Sequence, residues 1–134
     1  MGMARNAFVV GAAAGLIALA GKEHVIPVHL LDASGTPAAC HKLERLWLDA
    51  GGSPARAQMA ASIAMAESGG DRYSTDNNTN GTVDRGYWQI NSVHGALSTY
   101  DPAANARAAV AISGDGSNWT PWVTYNTGAY AGRC

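Results

Sequence analysis

Phenylalanine occurs once in this chain, at Phe8, and charged side chains make up only 14% of it, with a net charge of −1. With both signs mixed and nearly balanced, there is no basic stripe to follow a phosphate backbone, so nucleic acid is not an expected partner. Cysteine is limited to Cys40 and Cys134. A zinc site drawn from these two with His41 and His94 has no recognised ligand spacing, so no metal is expected. There is no Ser-His-Asp order, phosphate-cradling glycine loop, heme motif, internal repeat or low-complexity tract. The one sustained apolar run, residues 7–20, is shorter than the roughly 20 residues that span a bilayer as a helix. What remains is about one domain of ordinary size with an appendage.

The division between the two is visible in the aromatic residues. All four tryptophans and all five tyrosines lie between Trp47 and Tyr130, which separates an apolar segment (1–21) and a connector (22–35) from a domain (36–134). Within the connector, Val25 to Leu31 reads as a short extended piece that Pro27 confines to a sheet edge.

The domain is punctuated three times in the same way. Thr36-Pro37, Ser53-Pro54 and Asp101-Pro102 each pair a side chain able to cap a helix with a proline suited to the first helical position. The helices they open run to about Gly51, Gly69 and Gly114, where glycine supplies the left-handed cap. One face of the first holds Cys40, Leu43, Trp47 and Ala50, with Trp47 expected in the core. The second aligns Met59 or Ala60, Ile63 and Glu67. The third gathers Ala106, Ala109, Val110 and Ser113. A hairpin is expected from Thr75 to Ile90, turning at Asn80-Gly81. After Gly114 the chain reads as irregular and then a short helix, so the expected class is mainly α with a small β lobe (α+β).

The chemistry concentrates between Ala60 and Ser92. Glu67 falls on the last turn of the second helix, where the negative end of the helix dipole opposes its ionisation. Cover from Trp88 or a tyrosine would raise its pKa further and keep it a proton donor near neutral pH. Asp84 follows seventeen residues later on the hairpin. A helix-borne Glu facing a hairpin-borne Asp is the equipment of glycoside hydrolysis, one carboxyl protonated and one ionised. The run Asp76-x-Asn78-x-Asn80-Gly81-x-x-Asp84 imitates the start of a calcium loop, but its twelfth position is Tyr87 instead of Glu, so the asparagines are read as turn residues.

Glu67-Ser68 followed by Asn80-Gly-Thr-Val-Asp84-Arg-Gly86-Tyr-Trp-Gln89-Ile90-Asn91-Ser92 resembles the active-site segment of c-type lysozymes and of bacterial and phage lytic transglycosylase domains. Both belong to the lysozyme-like superfamily. Tyr125-Asn126-Thr-Gly128 resembles the element that closes the cleft in transglycosylase domains. Trp88 departs from the usual Met or Leu, and the proline common after the glutamine is missing. The resemblance runs from about Thr36 to Tyr130. It implies a lysozyme-like fold, no cofactor, and cleavage of the β-1,4 bond between N-acetylmuramic acid and N-acetylglucosamine in peptidoglycan, with Glu67 as the acid.

Two chemical endings are implied. In the transglycosylase, which the pattern favours, Glu67 then acts as base while the muramic acid 6-hydroxyl closes a 1,6-anhydro ring. In the lysozyme, Asp84 assists and water completes the reaction. Ser68, Tyr87, Gln89, Asn91, Trp119, Trp122, Tyr125 and Asn126 are the expected substrate-side residues. Gln89 and Asn91 would orient sugar or cleft backbone. Tyr125 and Asn126 would hold the acetamido group or Glu67 itself. The reading from another class is a silent wall-binding or structural phage-tail module.

Residues 1–21 carry one cation, Arg5, ahead of the apolar run, and Ala18-Leu19-Ala20 has the grammar of a cleavage site. The expected location is therefore secreted or cell envelope. The alternative is an apolar helix that anchors the protein through residues 1–35 in a larger assembly, such as a phage tail or a secretion machine, which would place it in the virion. Cys40 and Cys134 are either free thiols or, as expected for an exported chain and as lysozyme-like enzymes often show, a disulfide tying the last residue to the first helix.

Overall fold

The computed structural model describes residues 37–134 in full and, ahead of them, the backbone of residues 8–11, 16–19 and 24–27. These three segments are strands β1 (Phe8–Gly11), β2 (Leu16–Leu19) and β3 (His24–Pro27). They form an antiparallel meander with Phe8 opposite Leu19 and Leu16 opposite Pro27. The anchor reading supposes a helix here, whereas the described segments pair as strands. β-Branched residues recur through these segments (Val9, Val10, Ile17, Val25, Ile26) and favour extended backbone. Pro27 ends an edge strand, as its missing donor requires.

Three helices carry the domain: α1 (Ala38–Asp49), α2 (Ala57–Ser68) and α3 (Pro102–Ile112). Only the third opens as the sequence indicates, with Asp101 accepting from the Ala104 amide at 2.9 Å and Pro102 at the first helical position. Thr36 lies outside the described residues, and α1 starts one residue later than expected, with Pro37 in the capping position and no side-chain cap. Pro54 opens a short 3-10 turn that leads into α2, and the Ser53 side chain does not cap it. Ser53 is instead held through its backbone: its amide donates to Asp115 at 2.7 Å, and its carbonyl accepts from the Trp47 indole at 2.9 Å. The glycine stops hold, and Gly69 at φ 64° takes the left-handed conformation that few other residues tolerate.

The core is small and built from alanine and tryptophan. Leu43 and Trp47 of α1 meet Ala60, Ile63 and Ala64 of α2 and Ala106 and Ala109 of α3. The alanines permit close helix approach, and the rings fill what is left. Trp47 packs 5.5 Å from Trp119, which packs 5.0 Å from Trp122. Trp88 donates to the Ala60 carbonyl at 3.0 Å, and Trp122 to the Trp88 carbonyl at 2.8 Å, so these indoles bury their area without losing their hydrogen bonds. Gly52 lies so close to Trp47 that a β-carbon there would come within 2.3 Å of the ring.

The expected hairpin is a three-stranded antiparallel sheet: β4 (Thr75–Asn77), β5 (Val83–Arg85) and β6 (Ile90–Asn91). Asp84 stands opposite both Asp76 and Asn91. The Asn80-Gly81 turn forms as expected, with Gly81 at φ 88° and Asn80 accepting from the Thr82 amide at 3.0 Å. Asn105 pins this sheet to the helices. From within α3, fully buried, it accepts from the Trp88 amide at 2.8 Å and donates to the carbonyls of Arg85 and Thr99, both at 2.9 Å. Asn105→Ala would leave three backbone groups without partners in the interior, at roughly 1–3 kcal/mol for each buried group left unpaired. A drop in denaturation midpoint corresponding to at least about 3 kcal/mol is the expected result of urea unfolding.

The C-terminus is stapled down. Cys40 and Cys134 form a disulfide with α-carbons 5.7 Å apart. Gln58 and Ser62 of α2 add hydrogen bonds to the Cys134 carbonyl and amide at 2.9 and 3.2 Å. A loop of this length contributes about 4.7 kcal/mol in the chain-entropy model. The final helix, α4 (Val123–Asn126), lies against α2 and closes the fold.

Candidate active site

Between the sheet and the helices lies a cavity of about 560 Å³, within the range of small-molecule clefts. Its sheet side presents Asn77, Asn78, Thr79, Asn80, Thr82, Asp84 and Asn91. Its opposite side presents Ile112, Pro121, Trp122 and Val123, with Gln89, Ile90 and His94 completing the wall. Both candidate carboxylates open into it. Glu67 comes from the last turn of α2 and Asp84 from the middle of β5.

The two carboxyls have different surroundings. Glu67 is partly buried, and its Oε2 accepts from the Thr124 hydroxyl at 2.7 Å. Burial is the largest influence and raises its pKa. The Thr124 hydroxyl, and more weakly the nearby Thr124 backbone amide, pull it down, while the negative charges of Asp84 and Asp76 push it up again. The net direction is upward, as a proton donor requires. Trp88 sits in the core with its indole bound to α2.

Asp84 is surrounded by neutral donors. The Asn91 amide donates to its Oδ1 at 2.7 Å and the Asn78 amide to its Oδ2 at 3.2 Å. The same two amides reach Thr82 Oγ1, each at 3.0 Å, so carboxylate, amides and hydroxyl form one network across the sheet. Arg85 does not join it and donates to Ser98 at 3.0 Å instead. Neither of these amide donors carries a charge. Among the described residues no group of three or more His, Cys, Asp or Glu is placed to hold a metal. Asn78 and Asn80 are taken up by the turn and the Asp84 network.

Of the expected substrate-side residues, Gln89, Asn91 and Trp122 line the cavity. Gln89 holds a strained backbone at φ 48° and spends both amide hydrogens on the carbonyls of Ser74 and Gly86, at 2.9 Å each. These bonds tie Gln89 to the backbone of Ser74 and Gly86.

The other five are not among the cavity walls. Ser68 bonds back to the Ala64 carbonyl and caps its own helix. Tyr87 is buried edge-on against Trp88, with Lys42 over its ring. Trp119 is buried between Trp47 and Trp122. Tyr125 stacks on Tyr130 at 5.4 Å, and the exposed Asn126 donates to the Thr120 carbonyl at 2.9 Å. For Tyr87 and Trp119 the cause is the small alanine-rich core, which leaves space that large rings fill.

Asn78 and His94 line the cavity without having been expected there, and Thr124 bonds to Glu67. Thr124 is distant from Glu67 in sequence and next to the expected Tyr125. Asn78 reads along the chain only as a turn residue, and His94 as a surface one. No spacing rule reaches Thr124, and Asp84 meets Asn91 through cross-strand register.

A family model described as a lysozyme-like domain matches residues 44–124, a span that contains Glu67, Asp84 and Thr124. No curated protein gives a significant match to the chain. A partly buried Glu and an amide-held Asp, facing one cleft between helices and a small sheet, agree with that match over more than half of the sequence: the chain belongs to the lysozyme-like domain family.

Proposed function

We propose that this protein cleaves the glycan strands of peptidoglycan at the β-1,4 bond between N-acetylmuramic acid and N-acetylglucosamine, with Glu67 donating the proton to the leaving oxygen. Membership of the lysozyme-like family points to a glycosidase or transglycosylase acting on peptidoglycan. The finer reading rests on Asp84, which faces the same cavity as Glu67 and is held by two neutral amides instead of a cation. An ionised carboxylate so placed offsets the positive charge that develops at the anomeric carbon as the bond to the protonated oxygen breaks. Water then adds to that carbon, and Glu67 takes back a proton.

This arrangement moves the balance from the anhydro-forming transglycosylase, favoured by the sequence pattern, to two-carboxylate hydrolysis. An outward or salt-bridged Asp84 would have left Glu67 to work alone. The long polar wall of amides and hydroxyls opposite Trp122 suits a sugar chain, whose hydroxyls need partners and whose ring faces are apolar.

Mass spectrometry of fragments released from purified peptidoglycan tests the reading. Fragments ending in reducible muramic acid are the expected products. Fragments ending in 1,6-anhydromuramic acid would replace hydrolysis with transglycosylation. Release of no fragments would favour a wall-binding or structural module. Export, and attachment to a larger assembly through residues 1–35, remain proposals carried by the N-terminal sequence.

A further inference from the structure

We propose that Thr124 is a positioning residue for Glu67: it ties up Oε2 so that the transferable proton resides on Oε1. The inference rests on Glu67 being the proton donor. A carboxyl group with two equivalent oxygens can carry its proton on either and rotate between them. Here the oxygens are not equivalent, because Oε2 accepts the Thr124 hydroxyl at 2.7 Å. The oxygen already receiving a strong donor is the poorer site for a proton, so protonation is directed to the other.

Thr124 can hold this position because its own backbone is fixed. Trp122, two residues earlier, is buried and donates to the Trp88 carbonyl at 2.8 Å. The Val123 carbonyl accepts from the Thr127 amide at 2.9 Å, and that of Thr124 from Tyr130 at 3.3 Å. The hydroxyl is therefore presented from an anchored turn, not from a mobile loop. The same bond limits how far burial raises the acid's pKa. The other charges bearing on Glu67 are Asp84 on β5 and Asp76 on β4, both raising it, and His94 lines the same cavity.

Thr124→Val removes the hydroxyl while keeping side-chain shape and the backbone amide, and Thr124→Ser restores the hydroxyl. Two readouts separate positioning from mere packing. The first is the titration of the Glu67 side-chain carbon by NMR, which needs no substrate. The second is the pH profile of kcat and KM for peptidoglycan fragments. In Thr124→Val the Glu67 midpoint and the alkaline limb of kcat should both move to higher pH. At the optimum kcat should fall by about tenfold to a hundredfold, with KM little changed. Thr124→Ser should return both readouts to near wild type.

An unmoved Glu67 midpoint in Thr124→Val, or a serine variant that behaves like the valine variant, would overturn the proposal. If the midpoint moves as expected but the wild-type protein cleaves no glycan, the hold on the carboxyl stands and the proton-donor reading of Glu67 falls.

Discussion

Glu67→Gln is expected to abolish peptidoglycan cleavage while leaving the fold intact. The amide keeps the shape of the carboxyl and can still accept from Thr124, but it has no acidic proton to give. General acid catalysis is typically worth 10² to 10⁴ in rate, so a loss of about that size or larger is expected in a turbidity or dye-release assay. Stability should move the other way. Burial raises the Glu67 pKa above its ordinary value of 4.5, so the folded protein binds this proton more tightly than the unfolded chain does. The stability associated with the protonated form is complete below that ordinary value and is lost as pH rises through the raised folded one. A neutral glutamine escapes this loss, so the variant should melt no lower than wild type at neutral pH. Near-normal cleavage by Glu67→Gln would remove Glu67 from the chemistry. A lowered melting point would mean that its contacts are structural.

Asp84→Asn is expected to cost nearly as much activity, through a different route. The side chain opposes Asn91 across β5 and β6 and takes donors from Asn91 and Asn78. An asparagine there can accept at one atom only, so the network loses a hydrogen bond as well as a charge. Without the negative charge, the developing cation at the anomeric carbon loses its counterpart, and removal of a preorganised electrostatic partner commonly costs about 10² to 10³ in kcat. The substitution should also lower the Glu67 pKa, because Asp84 is one of the charges raising it. Any remaining activity should therefore fall off at lower pH than in wild type. A mild loss with anhydro products retained would show that Glu67 works alone. Measuring products and pH profile on the same variant separates the two contributions.

Much of the molecule was legible along the chain because local rules govern it. Gly69 and Gly114 stop helices where left-handed backbone is needed, and Asp101-Pro102 opens α3 with a cap and a residue that needs no amide partner. Asn80-Gly81 turns the sheet, and Trp47 falls on the buried face of α1. Glu67 and Asp84 could be singled out because a helix terminus and a hairpin strand each restrict where one side chain points. The Cys40–Cys134 bond was expected from the exported look of the chain and its lysozyme-like resemblance, and it forms.

Where those local rules compete, the outcome differed from the sequence reading. Ser53-Pro54 carries a helix-start signal, and the anchor reading of the apolar N-terminal run supposes a helix. The Ser53 backbone is drawn to Asp115 and Trp47, and the N-terminal run pairs as strands.

What the sequence alone determined is the inventory: two carboxylates on different elements, a neutral polar turn between them, and enough tryptophan to fill a core short of large aliphatic side chains. Only the tertiary structure decided which groups meet. Thr124 reaches Glu67 because α4 packs on α2, and Asn105 reaches the Arg85–Trp88 turn from a helix that follows it in the chain. Trp119 and Tyr87 are drawn into the interior, while Trp122 serves both core and cleft. Periodicity constrains residues within one helix or strand, whereas the environment that sets a carboxyl's proton affinity comes from whatever distant segments are packed around it.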